Sequence, residues 1–364
     1  MVFHSYVCAG LAGCEPHVES RVIYGIRRLQ SPVFFQGNLR AKRYFEGWYF
    51  KHVSADRSSV YALIPGISLS PRGSTSFIQF IDGSNGRTRW FPFPLKAFGF
   101  SRDRFEVRIG DNRFSLEGIQ ARLRDDEGEI EAELTYSGVT PLPFSVLRPG
   151  IMGPFTYAPF MECYHGIGSL DHGLSGSMSI DGRRVDFSGG SGYIEKDWGR
   201  SFPRVWIWAQ SNNFAAPGTS FLFSLARIPW MGRTFPGFFT LLLEGGRIHR
   251  LATYTGARVV SARLAGRELD VEVQDRGLRL RLHVERSHEG VLLAPVDGAM
   301  DRRIGESIDA RLHVHLTDRD GTVLFDGIGE AAGLEAVGDL SLIGVETPAR
   351  PDALSQRSPA SFGR

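Results

Sequence analysis

Leu278-Arg-Leu-Arg-Leu-His-Val284 alternates apolar and polar side chains without a break, and a period of two belongs to a half-buried β-strand. The same alternation runs through Arg104-Phe-Glu-Val-Arg-Ile109, Arg113-Phe-Ser-Leu116, Glu129-Ile-Glu-Ala-Glu-Leu-Thr-Tyr136 and Arg311-Leu-His-Val-His-Leu316. Turn dipeptides punctuate these runs at short spacing: Asp82-Gly83, Asn85-Gly86, Asp181-Gly182, Gly245-Gly246 and Asp320-Gly321. No stretch carries a sustained 3.6-residue period between caps. The chain therefore reads as an antiparallel all-β protein, closed as barrels or sandwiches that dispose of sheet edges.

At 364 residues the chain is long enough for two domains. Two aromatic blocks about 160 positions apart suggest a duplicated β unit: Tyr44-Phe-Glu-Gly-Trp-Tyr-Phe-Lys51, and Gly192-Tyr-Ile-Glu-Lys-Asp-Trp-Gly199 followed by Trp206-Ile-Trp-Ala-Gln-Ser-Asn212. The expected division is an atypical or disordered leader over 1–27, an N-terminal β-barrel-like domain over 28–200, a C-terminal one over 201–346 and a disordered tail over 347–364.

Lys+Arg 42 against Asp+Glu 40 leaves a formal charge of +2, too small to steer the protein toward nucleic acid. No apolar run approaches the length of a membrane-spanning helix. Cys8, Cys14 and Cys163 cannot build a disulfide framework and fit a reducing compartment. Leu11-Ala-Gly-Cys14 has the form of a lipoprotein cleavage box, but no Lys or Arg precedes it. The expected compartment is cytoplasmic, with a peripheral membrane contact offered by Trp90-Phe-Pro-Phe-Pro-Leu95, Phe98 and Phe100, a stretch that suits a cavity lip or ordinary core equally well. Neither a GxxxxGK[ST] loop nor an HExxH or GxSxG motif occurs, and the two-residue spacing of His313 and His315 suits a solvated strand face. Neither cofactor nor metal is called for.

The strand period places Glu46 and Trp48 on one face of the first block, with Tyr49 and Lys51 on the other. A carboxyl among rings is desolvated and can stay protonated to act as an acid; the alternative is that Glu46 pairs with an Arg or Lys across the sheet. In the second block Trp206, Trp208, Gln210 and Asn212 share a face, where rings supply apolar surface and carboxamides fix a polar group.

These blocks, together with Met161-Glu-Cys-Tyr-His-Gly166, Ser201-Phe-Pro203 and Gly333-Leu-Glu335, resemble the tocopherol cyclase family over roughly residues 30 to 345. The resemblance implies two lipocalin-like β domains, similar in architecture to carotenoid-hydratase-like proteins, and a hydrophobic prenylated aromatic small molecule as partner. It further implies an intramolecular cyclisation in which a phenolic hydroxyl of a prenylated hydroquinone adds across its own prenyl double bond. That chemistry needs a neutral acid, a shield for a tertiary cation, and a positioned phenol. Asp197, Glu195 and Glu46 are the candidate acids or bases, with Asp197 the first choice as proton donor. Trp48, Tyr49, Trp198, Trp206 and Trp208 are candidate cation shields. Gln210, Asn212 and Lys196 are candidate anchors for the quinol head, and Glu162 and His165 are further candidates. A carrier of an isoprenoid and a hydratase of an isoprenoid double bond are the competing readings.

Overall fold

A computed structural model describes residues 18–347 of the chain. Among them two antiparallel sheets dominate, one of 12 strands and one of 10. All strands of the first sheet lie between residues 44 and 199, and all strands of the second between 206 and 337. The chain passes from one to the other over residues 200–205.

Both sheets follow the same path. Four strands meander outward from Tyr44–Val53 in the first and from Trp206–Ser211 in the second. The chain then passes to the opposite edge and meanders back, and a final strand inserts beside the first: Ser191–Gly199 beside Tyr44–Val53, and Val323–Val337 beside Trp206–Ser211. In each sheet the two edge strands are consecutive in sequence, Thr88–Pro94 and Phe98–Phe100 in one, Arg247–Ala252 and Arg258–Ala265 in the other. A single 3-10 turn joins each pair. So short a link brings the edges of a strongly twisted sheet together, and each sheet rolls into a lipocalin-like barrel. The duplication thus stands, but its units differ from the blocks first read. Gly192–Gly199 is the closing strand of the first sheet and pairs with Tyr44–Lys51 instead of repeating it.

One element departs from the strand reading. Val18–Gln30 is an α-helix with Arg27 and Arg28 in its last turn, followed by Pro32. Its expected place inside an atypical or disordered leader is corrected for these residues; the lipoprotein-type box and the tail beyond Thr347 lie outside the described residues. None of the described helices is long and apolar enough to cross a membrane.

Each barrel has its own apolar core, built around Trp48, Phe50, Phe80 and Phe114 in the first and around Phe221, Phe223, Leu282 and Val314 in the second. A third cluster lies between the two sheets and includes Tyr49, Tyr193, Trp206, Trp208, Leu222 and Leu241. Strand alternation produces this arrangement: one face of each central strand fills its own barrel, and the other meets the partner sheet. The segment Trp90–Phe100 faces inward more than a membrane contact would. Trp90 stacks on Phe77 with centroids 4.6 Å apart, and Phe91 and Phe98 are buried while Pro92, Pro94 and Lys96 are exposed, so the rings of this stretch pack largely onto the barrel.

Candidate functional site

A cavity of about 170 Å³ opens between the sheets. Its walls are mostly apolar, with Phe45, Ile64, Phe77, Met152, Phe239 and Leu292 among them, yet five carboxylic acids line it: Glu162, Glu195, Asp197, Glu306 and Glu335. His165 is the sole basic side chain of the lining. So many acids in so apolar a place cannot all ionise, and protons are retained there.

The first-sheet wall is set by three adjacent strands. Asp197 pairs in register with Gly47 on one side and His165 on the other, and Glu195 with Tyr49 and Ile167. Gly47 itself lines the cavity, so its missing side chain leaves room in front of Asp197. His165 Nδ1 lies 2.9 Å from Asp197 Oδ1. Its Nε2 lies 3.4 Å from Glu195 Oε2, within ion-pair reach but without the alignment of a hydrogen bond. Burial opposes charging of the imidazole, but Asp197 and Glu195 outweigh it and push His165 up to about 10. Glu195 is held in place by Tyr193, whose hydroxyl donates to it at 2.7 Å, and by the Trp208 indole N–H at 3.2 Å. The ligand atoms of His165, Glu195 and Asp197 lie within 4.8 Å of one another. This set could hold a divalent ion, at the expense of the His165–Asp197 hydrogen bond.

The second-sheet wall carries the residues that the sequence reading missed. Glu306, from strand Ala299–Asp318, and Glu335, from strand Val323–Val337, are partners in register, and each carboxyl influences the protonation of the other. The Tyr49 hydroxyl donates to Glu306 at 2.7 Å, and the Trp206 indole N–H donates to Glu335. Burial pushes Glu306 up to about 7, with Tyr49 opposing, Glu195 adding and Lys51 opposing. Burial and then the Glu306 charge raise Glu335 well above the usual carboxylate range. Glu335 was visible only as the end of Gly333-Leu-Glu335. Glu306 stands in a strand whose mixture of Arg, Asp and His resembles a solvated face, so nothing local marked it.

Of the residues anticipated from sequence, the cavity gathers Tyr49, Glu162, His165, Glu195, Asp197, Trp206 and Trp208. Glu162 is half-buried at the rim, and burial raises its carboxyl. The other six lie elsewhere. Glu46 and Lys196 form a buried ion pair at 2.5 Å on the opposite face of the first sheet, so the cross-strand pairing alternative describes Glu46. Lys196 Nζ also donates to the carbonyls of Pro32 and Phe34 at 2.7 and 2.6 Å, and the Trp48 indole N–H to that of Val33 at 2.7 Å. Together they clip residues 32–34 onto the barrel. Trp48 and Trp198 do shield a cation, but it is the Lys196 ammonium, 5.0 and 4.8 Å from their ring centroids. Gln210 accepts from buried Lys51 Nζ at 2.9 Å, and burial drops that amine to about 7. Asn212 donates to Asp171 at 2.8 Å and to the Gly192 carbonyl at 3.0 Å. Both carboxamides are thus spent inside the protein, behind the cavity.

Fold and cavity together define a class: a duplicated, lipocalin-like β protein whose two sheets enclose an apolar, acid-lined cavity. Residues 168–338 match the family model described as tocopherol cyclase-like, which bears out the resemblance over the closing strand of the first sheet and the whole of the second. A chloroplastic tocopherol cyclase of Zea mays is 44% identical over 63 residues, 17% of this chain and 13% of that protein. A probable chloroplastic tocopherol cyclase of Oryza sativa subsp. japonica is 33% identical over 104 residues, 27% of this chain and 22% of that protein. The chain thus matches less than a quarter of the length of either plant relative. The crystal structure of CghA superimposes with a TM-score of 0.50 and 13% identity, covering 82% of this chain and 89% of that one; at that identity the likeness concerns the fold alone.

Proposed function

We propose that the protein is a cofactor-independent cyclase of a prenylated hydroquinone, closing a chromanol ring in the cavity between the sheets. The observation that carries this reading is the Glu306–Glu335 pair, a proton-retaining dyad facing an aromatic cavity across from an imidazolium–carboxylate pair. In this scheme the dyad protonates the prenyl double bond at its less substituted carbon. The tertiary cation forms beside Trp208, Tyr49 and Phe239, where ring faces and cavity carboxylates stabilise it away from water. One face of Trp206 already meets a cation, the Arg302 guanidinium 5.0 Å from its centroid, so Trp208 is the better shield. The phenolic oxygen attacks the cation, its proton passes to Asp197, and exchange through the mouth re-protonates the dyad. Product and substrate are isomers.

This reading moves the proton donor from Asp197 to the dyad. Asp197 accepts a hydrogen bond from an imidazole pushed toward its charged form, which suits a proton acceptor better than a donor. The change of sheet over residues 200–205 supports 28–200 and 201–346 as the two structural units, and the cavity draws on both.

Purified protein incubated with a panel of prenylated hydroquinones and long isoprenoids gives the test. A product of unchanged mass with chroman absorbance is expected. A product heavier by one water would make the protein a hydratase, and a bound but unaltered ligand would make it a carrier.

A further inference from the structure

Around the rim of the cavity, large apolar side chains stand in solvent. Leu147 is 82% exposed, Phe160 90% and Met231 79%, with Val146 at 72% beside them. They sit on two segments that touch. The Tyr157 hydroxyl donates to the Val146 carbonyl at 3.0 Å, folding residues 144–160 on themselves, and the Trp230 indole N–H donates to the Pro159 carbonyl at 3.1 Å, tying that segment to the 230–233 hairpin. The two segments are therefore held side by side, with these side chains at their tips. Both segments lead directly into the cavity: Met161, next to Phe160, and Pro229, two residues before Met231, are part of its wall.

Charge selects the occupant. Residues 138–161 and 225–243 contain no Asp or Glu, and their charged side chains are Arg148, Arg227 and Arg233. A protein partner would call for mixed polarity at the rim. Exposed apolar tips, a half-buried indole, an exposed phenol and three arginines, against the one half-buried carboxyl of Glu162 at the rim, instead match the headgroup zone of an anionic bilayer. We infer that this face docks on an anionic membrane surface, with Leu147, Phe160 and Met231 inserted among the lipids and the cavity mouth turned toward them. An apolar ligand dissolved in the bilayer then reaches the cavity without crossing water. The site lies far along the chain from Trp90–Phe100, the stretch that the sequence suggested for such a contact.

The inference stands apart from the reaction, because binding is read without turnover. The full chain is mixed with vesicles of phosphatidylcholine alone or with one-third phosphatidylglycerol, and sedimented. Binding to the anionic vesicles is expected, weaker on pure phosphatidylcholine and weakened by salt. Leu147→Asp/Phe160→Asp/Met231→Asp, with its fold checked by circular dichroism, is expected to lose ~10-fold or more of that binding. Failure of the parent chain to sediment with anionic vesicles, or equal binding by the triple variant, overturns the inference. So does a concentration-dependent dimer, seen without lipid and abolished by the triple variant, since a second copy would then own the patch.

Discussion

Glu306 and Glu335 stand directly opposite each other on neighbouring strands, so one backbone register places two acids where a single charge is tolerated. Their hydrogen-bond donors, Tyr49 and Trp206, come from different sheets, so the dyad also reports whether the two barrels are correctly docked.

The first expectation concerns this pair. Glu306→Gln should lower the cyclisation rate by roughly 10²–10⁴-fold while the fold is retained, as measured by product formation and circular dichroism. The acid's folded pKa of about 7 lies above its ordinary value of 4.5. The folded state therefore holds the proton more tightly, and the parent loses stability as pH rises from about 4.5 to 7. Denaturant unfolding of the parent and Glu306→Gln between pH 5 and 8 should show the variant gaining relative to the parent across that window. The charged and titratable groups facing Glu306 are Glu335, Glu195, Lys51 and Tyr49.

His165 behaves with the opposite origin. Its folded pKa of about 10 lies above its ordinary 6.5, so the stabilisation from its charged form is complete below about 6.5 and is lost as pH climbs toward 10. Asp197→Asn should return the imidazole toward its ordinary range, visible in a proton NMR titration of the ring. An unmoved titration would show that Asp197 does not hold the charge.

The Glu46–Lys196 pair gives a structural prediction. Removing one member strands a buried charge, so Glu46→Gln or Lys196→Met alone should cost about 3–5 kcal/mol in denaturant unfolding, and the double variant less than the sum. Detachment of residues 32–34 should accompany the loss, seen as faster amide exchange in that stretch.

Gly333 permits the cavity wall. A Cβ there would stand 2.3 Å from Trp208 Cζ3, so Gly333→Ala must displace the indole. A loss of about 1–3 kcal/mol and altered Trp fluorescence are expected, together with slower turnover, since Trp208 also anchors Glu195.

Period-two patterning carried the fold, because alternation is written locally in each strand and survives any arrangement of strands. The helix Val18–Gln30 escaped because its apolar stripe, Ile23, Ile26 and Leu29, remains half exposed and is flanked by charge. Strand parity parted Tyr49 from Trp48 in the first block, whereas Glu195 and Lys196 were both read as site residues with no face assigned to either. Which parity faced the cavity was not legible. Glu46 among rings looked like a tuned acid, yet the ring-rich face was a barrel core and the carboxyl's partner was Lys196, brought beside it only by pairing with the closing strand. Glu306 depends on register between strands distant in sequence, information that no single strand contains.

Each sheet is completed by its own last strand before the next begins, so either barrel is topologically self-sufficient. The chemistry is not. Imidazole and its carboxylates hang from one copy of the repeat and the facing dyad from the other, with neither set inside a barrel where a lone lipocalin-like unit would keep its ligand. The two sheets together thus enclose a third compartment that neither barrel has alone, and each lines it from its outer face without disturbing its own core.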